Sequence, residues 1–429
     1  MKNFAPRHWT FTSVAFALFA GGAVAQQGHV LNGVGAVNQG MAGVATGLAT
    51  DGSGAINWNP ASITAIDCCD MQFSMELFSS DLEMYSSMGN PAPPPTTLEG
   101  STDCGRGPSA IPSFAMVHDL GDSGWTFGLG AFGVAGFGVD FEADAANPIL
   151  SPGGFGQVFS EYQLLQVTPT FSKKIDEHWS FGFAPTINQA RLRVHPAPFA
   201  SPNPDMTYPS AMAGDDAWGF GGQLGVFYDS QEDWTFGASY KSTQKFESFT
   251  FNAIDNLGAH RTLKFDMDFP AIASVGIGYK GIDDWKFGLD LRHIDYESTA
   301  GFDESGFDAT GAVKGFGWDN VNVLALAAEW QATPGMTLRG GMSFNNSPID
   351  EDNAGFNIAA PAIIEQHLAL GATFDMGEHM KLDLAWHHGF ENDVSGPMQN
   401  PAFAGGVPGS SVQPTMSTDS IVFGLRLAL

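Results

Sequence analysis

The side chains able to do chemistry are few and poorly grouped. His387 and His388 stand near Asp383 and Glu391, residue types that can hold a transition metal. There are three cysteines, Cys68, Cys69 and Cys104. An odd number in an exported chain leaves at least one thiol unpaired or bonded to another chain. No zinc-ligand spacing accompanies them. The run Asp350-Glu351-Asp352 suits a solvated rim or an oxygen-donor loop for a divalent cation. No nucleophile elbow, phosphate loop or HExxH pattern is present. What the histidines can share depends on the element beneath them. On a strand, His387 and His388 point to opposite faces and do not easily share a metal. No catalytic residue, metal or cofactor is expected.

The elements that would position these residues are strands. A turn followed by a bulky residue and an alternating run recurs as Gly124-Trp125-Thr126-Phe127-Gly128 and His178-Trp179-Ser180-Phe181-Gly182. It returns at Asp233-Trp234 and Asp284-Trp285, with weaker copies at Met336 and Met380. The spacing of about 44 to 55 residues is that of a hairpin with one short turn and one long loop. Within each run the alternation is strict. Trp285, Phe287, Leu289 and Leu291 share one face; Lys286, Gly288, Asp290 and Arg292 share the other. From Met380, Leu382, Leu384 and Trp386 oppose Lys381, Asp383, Ala385 and His387.

A soluble sandwich and a membrane barrel both alternate in this way. Three features favour the barrel. The polar face is glycine-rich and charged, as a crowded lumen would be. Tryptophans recur beside the short turns, where an interfacial girdle belongs. All the short turns fall on one side. Strands are expected at 71–80, 111–120, from Trp125, through Tyr162 to Lys173, at 179–194 and at 218–228. The rest start at Trp234, run 263–280, start at Trp285, run 321–330, start at Met336, run 367–374, start at Met380 and run 419–429. The fold class is thus an all-β, transmembrane antiparallel barrel of about 14 strands, with both ends in the periplasm.

Lys2 and Arg7, an apolar stretch from Trp9 to about Leu18, and Ala23-Val24-Ala25 read as a signal peptide over residues 1–25. Residues 68–429 form the barrel. Between them, residues 26–67 do not alternate. This segment is rich in small residues and ends in Asn57-Trp58-Asn59-Pro60-Ala61-Ser62-Ile63. Pro60 forbids a central strand there. A barrel of about 14 strands encloses more space than its own side chains fill, and a compact plug of this length would occupy it. The formal charge is −28, from 18 basic and 46 acidic residues. Such a chain repels nucleic acid. Gly130, Gly133, Gly136 and Gly138 crowd the third strand, where glycine signals bulges or broken pairing.

Gly28-His29-Val30-Leu31-Asn32, the glycine-rich stretch and Asn59-Pro60-Ala61 resemble the N-terminal hatch of the FadL family. That family comprises outer-membrane transporters of long-chain fatty acids and, in its toluene-type branch, aromatic hydrocarbons. The likeness continues through Trp179-Ser180-Phe181-Gly182, Trp218-Gly219-Phe220-Gly221, Gly315-Phe316-Gly317-Trp318-Asp319 and Ser347-Pro348-Ile349 to the final strand. It implies passive transport of hydrophobic small molecules, long-chain fatty acids first among them, across the outer membrane of a Gram-negative bacterium. A ligand would land on external loops, enter a pocket, and leave sideways through a gap at the third strand. His29 takes the place of a hatch phenylalanine in the family. Arg191 and Arg193 lie where the family has basic residues facing its pocket, and there an arginine would hold a fatty-acid carboxylate. The loop from Pro196 to Gly214, with Phe199, Met206, Tyr208 and Met212, is shorter than in fatty-acid transporters.

The partners expected are a hydrophobic ligand, outer-membrane lipids and lipopolysaccharide, around a monomer. Uptake of neutral aromatic or aliphatic hydrocarbons is the alternative, followed by a general porin for polar solutes, which Lys286, Arg292, Arg339, Lys381 and Arg426 would suit. A plug argues against an open pore.

Overall fold

A computed structural model describes residues 27–66, 70–90, 96–403 and 405–428. The signal peptide expected over 1–25, and the pair Cys68–Cys69, lie outside the described residues. Fourteen strands close into one antiparallel barrel. They are β1 Asp70–Asn90, β2 Ser109–Asp119, β3 Trp125–Phe141, β4 Val158–Lys174, β5 Trp179–His195, β6 Ala211–Asp229 and β7 Trp234–Lys241. The second half comprises β8 Ala271–Ile282, β9 Trp285–Asp295, β10 Val321–Thr333, β11 Met336–Asn345, β12 Gln366–Asp375, β13 Met380–Asp393 and β14 Ser410–Ala428. Each strand pairs with the next, and β14 returns to β1 with Leu427 opposite Met71.

Side-chain parity sorts the barrel into a lipid face and a lumen. On β9, Phe287 and Leu291 are exposed outward, whereas Gly288, Asp290 and Arg292 are buried inward. On β13, His387 is buried and reaches the plug, its Nε2 2.8 Å from the Asn32 amide. His388 sits on the outer face beside Asp419. Ring pairs gather at the short-turn end: Trp285 with Trp330 at 5.4 Å, Trp234 with Tyr279 at 4.6 Å, and Trp179 with Tyr228 at 4.8 Å. Rings with an apolar body and a polar edge suit that interface.

Four expected boundaries are corrected, the first being the end of the first strand, which runs on to Asn90. Leu263 does not belong to the eighth strand. It lies in a separate hairpin, Phe249–Ile254 with His260–Phe265, and β8 starts only at Ala271, after Pro270. The sixth and last strands begin earlier than expected, at Ala211 and Ser410. Where strands run longer than expected, the cause is the same. Beyond the bilayer both faces of a strand can be wet, so pairing continues after the apolar–polar alternation has ended.

Residues 27–66 fold inside the barrel. They form two short helices, α1 Gly35–Gly40 and α2 Gly52–Trp58, and a 3-10 turn over Pro60–Ala65. Asp51 caps α2 through the Gly54 amide, and the Asn59 carboxamide caps the turn through the Ala61 amide. Helix α1 packs against β12–β14 and β1, α2 against β2 and β3, and the turn against β4–β6. This segment therefore touches nearly the whole inner wall.

Candidate functional site

The centre of the site is the edge of β3. Strands β2 and β3 pair from Asp119–Thr126 up to Ser113–Phe132, and the ladder stops there. On its other side β3 slips register against β4 between Gly133 and Ala135. Alternation fails at that bulge, and residues 134–139 are all buried. A Cβ at Gly133 would meet the Ile111 side chain, and one at Gly138 would meet the Arg106 guanidinium. The glycines therefore allow the strand to turn inward under close neighbours.

A broken edge leaves amides and carbonyls to satisfy. The plug supplies part of what is missing. Leu31 N donates to Val134 O at 3.0 Å, Gly136 N donates to His29 O at 3.0 Å, and Val30 stands opposite Ala135. Higher up, Gly105 N donates to Asp140 O at 2.8 Å. Cys104, a free thiol, accepts from the Asp140 amide.

His29 projects from this three-residue patch into an aromatic box. Its ring stacks on Phe302 with centroids 4.8 Å apart. Tyr162, Phe269, Tyr296 and Trp318 surround it at 5.5–6.0 Å. The Tyr296 hydroxyl lies 3.0 Å from Nδ1 and accepts from the His29 amide at 2.9 Å. Nε2 and the Tyr162 hydroxyl have no hydrogen-bonding partner among the described residues. Burial pushes the His29 pKa down to about 3, so the ring is neutral.

The box is one end of a longer aromatic line. Phe302 stacks on Phe316 at 5.3 Å, Phe316 meets Phe265 at 6.2 Å, and Phe265 stacks on Phe199 at 4.8 Å. Phe316 also touches Phe137 of β3 at 5.8 Å. Rings thus run from the external loops to the plug and to the kinked strand. Beside Phe199, an apolar niche between the loops is lined by Phe155, Pro198, Tyr208, Phe307, Phe356 and Ile358. A concavity around Leu224, Val275 and Leu291 opens on the lipid face and belongs to the bilayer boundary.

The residues singled out in the sequence separate into three places. His29 and Phe199 lie along the aromatic line and Gly133, Gly136 and Gly138 at the broken edge, whereas Gly130 lies below it, opposite Ala115 of β2. Asn59-Pro60-Ala61 fastens the plug to the wall: the Asn59 amide donates to Thr46 O at 2.9 Å and to Val226 O at 3.0 Å. Arg191 and Arg193 do not face the pocket. They share the outward face of β5 with Trp179, Phe181 and Phe183. Arg193 pairs with Glu161 at 3.0 Å and Arg191 sits 3.9 Å from Asp216. The parity was readable, since both are an even number of residues from Trp179.

Other functional residues had weaker signals. Trp318 lay within the Gly-Phe-Gly-Trp-Asp run, but Tyr296 and Phe302 sit in a loop without periodicity. Asp290 was placed on the polar face, yet its task is specific. Its carboxylate accepts from the Ala45 and Thr46 amides at 2.9 Å each and from Gly47 at 3.4 Å. Arg292 pairs with it at 3.0 Å and covers the Trp58 ring at 3.7 Å. This buried pair locks the middle of the plug to β9.

A family model described as outer membrane protein transport protein (OMPP1/FadL/TodX) matches residues 16–428. The long-chain fatty acid transport protein of Salmonella typhi is 22% identical over 413 residues, covering 87% of this chain and 90% of that protein. That of Escherichia coli (strain K12) is 21% identical over 429 residues, with the same coverage. The crystal structure of the Pseudomonas putida toluene transporter TodX matches with a TM-score of 0.68 at 19% identity, covering 94% of this chain and 100% of that one. A Pseudomonas aeruginosa FadL homologue matches with a TM-score of 0.70 at 16% identity, covering 94% and 99%. A closed barrel with a plug inside it, matched over nearly its whole length, places this chain in the OMPP1/FadL/TodX family of outer-membrane transporters for hydrophobic compounds.

Proposed function

We propose that this chain carries long-chain fatty acids inward, capturing them between the external loops and releasing them sideways into the bilayer beside β3. One observation carries this reading. One three-residue segment does both: His29 fills the aromatic box, and His29 to Leu31 complete the edge of β3. A ligand that takes the place of the His29 ring therefore also loosens the Leu31–Val134 and Gly136–His29 bonds. Occupation of the pocket and opening of the wall become one event. Lateral exit suits a greasy cargo, because it avoids re-exposing apolar surface to water at about 25 cal/mol per Å². His29 and Phe199 are the contacts assigned to the ligand. Gly130, Gly133, Gly136 and Gly138 belong to the strand that borders the gap, and residues 26–67 to the movable plug. The curated relatives are named as long-chain fatty acid transport proteins, which supports the cargo.

Uptake of neutral hydrocarbons is the second reading. It is favoured by the box itself, where the rings around His29 include no cationic side chain. The test is uptake of labelled oleate and of toluene, side by side. The cells lack their own transporter and express the chain at a verified surface level. Oleate entry above the empty-vector control is the expected result. Entry of toluene alone would move the chain to the hydrocarbon reading.

A further inference from the structure

Lys241 ends β7 on the lumen face and is buried. Its ammonium group donates to Asn57 Oδ1 of the plug at 3.3 Å and to Gln166 Oε1 of β4 at 3.1 Å. An ammonium has three hydrogens to place; among the described residues the third has no acceptor, and no carboxylate lies within 4.0 Å. Three arginines of the lumen face each have a carboxylate instead. Arg292 has Asp290 at 3.0 Å, Arg339 has Glu329 at 2.7 Å, and Arg426 has Asp383 at 2.7 Å. An uncompensated buried charge is expensive, so a site that keeps one is built to receive an anion or to exclude its own charge.

The surroundings favour an anion. Lys241 lies among neutral amides and hydroxyls: Gln166 is bonded to Asn188 at 2.8 Å, and Asn188 to Gln244 at 2.9 Å. Gln223, opposite Lys241 in the β6–β7 ladder, binds the Asn57 carbonyl at 3.2 Å. The position also fits the path. Gln166 stands opposite Phe132, the last residue of β3 that pairs with β2. On the inward face of β4, Tyr162 of the aromatic box, Leu164 and Gln166 follow one another at every second residue.

We infer that Lys241 is the carboxylate-binding residue of the lumen: it takes the head group of an anionic amphiphile when Asn57 moves away with the plug, and holds it level with the gap. This assignment rests on the fatty-acid reading above and makes Lys241 the residue that separates an acid from a neutral molecule of the same chain. Arg191 and Arg193, on the outer face, have no part in it.

The test compares oleate with oleyl alcohol, which differ only in the head group. Uptake is measured in cells with verified surface expression for wild type, Lys241→Met and Lys241→Arg, and heat-modifiability on gels confirms that each barrel is folded. A charge-assisted bond lost from a desolvated site changes affinity at least about tenfold. K241M is therefore expected to take up oleate at least about tenfold less well at subsaturating ligand, with oleyl alcohol unchanged and K241R close to wild type. Equal loss of both ligands would make Lys241 a fastener of the plug and overturn the assignment. Unchanged oleate uptake in K241M would also overturn it. Wild type that takes up neither ligand would sink the transport reading itself, and this assignment with it.

Discussion

His29 is held neutral by burial, with its pKa pushed from 6.5 down to about 3. The titratable side chains around its ring are the hydroxyls of Tyr162 and Tyr296. A displaced plug would return the ring to water and to its ordinary pKa. The docked state therefore keeps its full stability above about pH 6.5. It loses about 1.4 kcal/mol per unit as pH falls below that value towards 3. Asp51, raised to about 7 by burial, pulls the other way, because its proton is favoured while α2 is docked. A comparison with His29→Phe isolates the histidine. Protease cleavage of the plug should rise more between pH 7 and 5 in wild type than in H29F, and parallel profiles would deny His29 that role. At Asp290 the expectation is larger. Asp290→Asn removes the charge facing three plug amides and leaves Arg292 buried without its partner, which costs about 3 to 5 kcal/mol. The readout is faster protease cleavage of the plug with the barrel intact.

Between elements, the plug and the wall are fitted by the glycines of the polar face. A Cβ at Gly237 of β7 would overlap the Thr46 carbonyl, and one at Gly276 of β8 would overlap the Gly47 amide. Gly237→Leu should therefore displace the plug without breaking the β7–β8 ladder. A planar bilayer would then show a steady conductance that wild type lacks, and equal conductance would contradict this fit. The strands themselves were legible because lipid on one face and a wet lumen on the other enforce a period of two. Trp285 to Leu291 shows this directly. The same parity, applied to β5, places Arg191 and Arg193 outside, where a likeness of position had suggested the pocket. Lys241 has the opposite parity to Trp234, so its inward direction was equally readable; that it stands without an acid was not. Acidic partners come from other strands, and only folding shows which cations they reach. The box around His29 was hidden for a related reason. Tyr296, Phe302 and Trp318 come from one long loop, whose path is set by packing and leaves no periodic trace.

At the scale of the molecule, the barrel is a closed ladder, and where β3 leaves β2 the plug completes the edge. Closure to solutes and closure to the bilayer thus depend on the same segment. A chain of formal charge −28 still binds an anion on this account, because the acids near the lumen cations are already paired and Lys241 is not. On the proposed route, residues 29–31 must leave β3 for cargo to pass. Val30 and Ala135 face each other as a pair without mutual hydrogen bonds, flanked by the Leu31–Val134 and Gly136–His29 bonds. Such pairs bring Cα atoms to about 4.5 Å, within the range a disulfide spans. The decisive measurement is oleate uptake by Val30→Cys/Ala135→Cys, in a background with the three native cysteines replaced. Uptake is expected to be lost when the bond is formed and to recover when it is reduced. Wild-type uptake with the cross-link shown to be complete would contradict it.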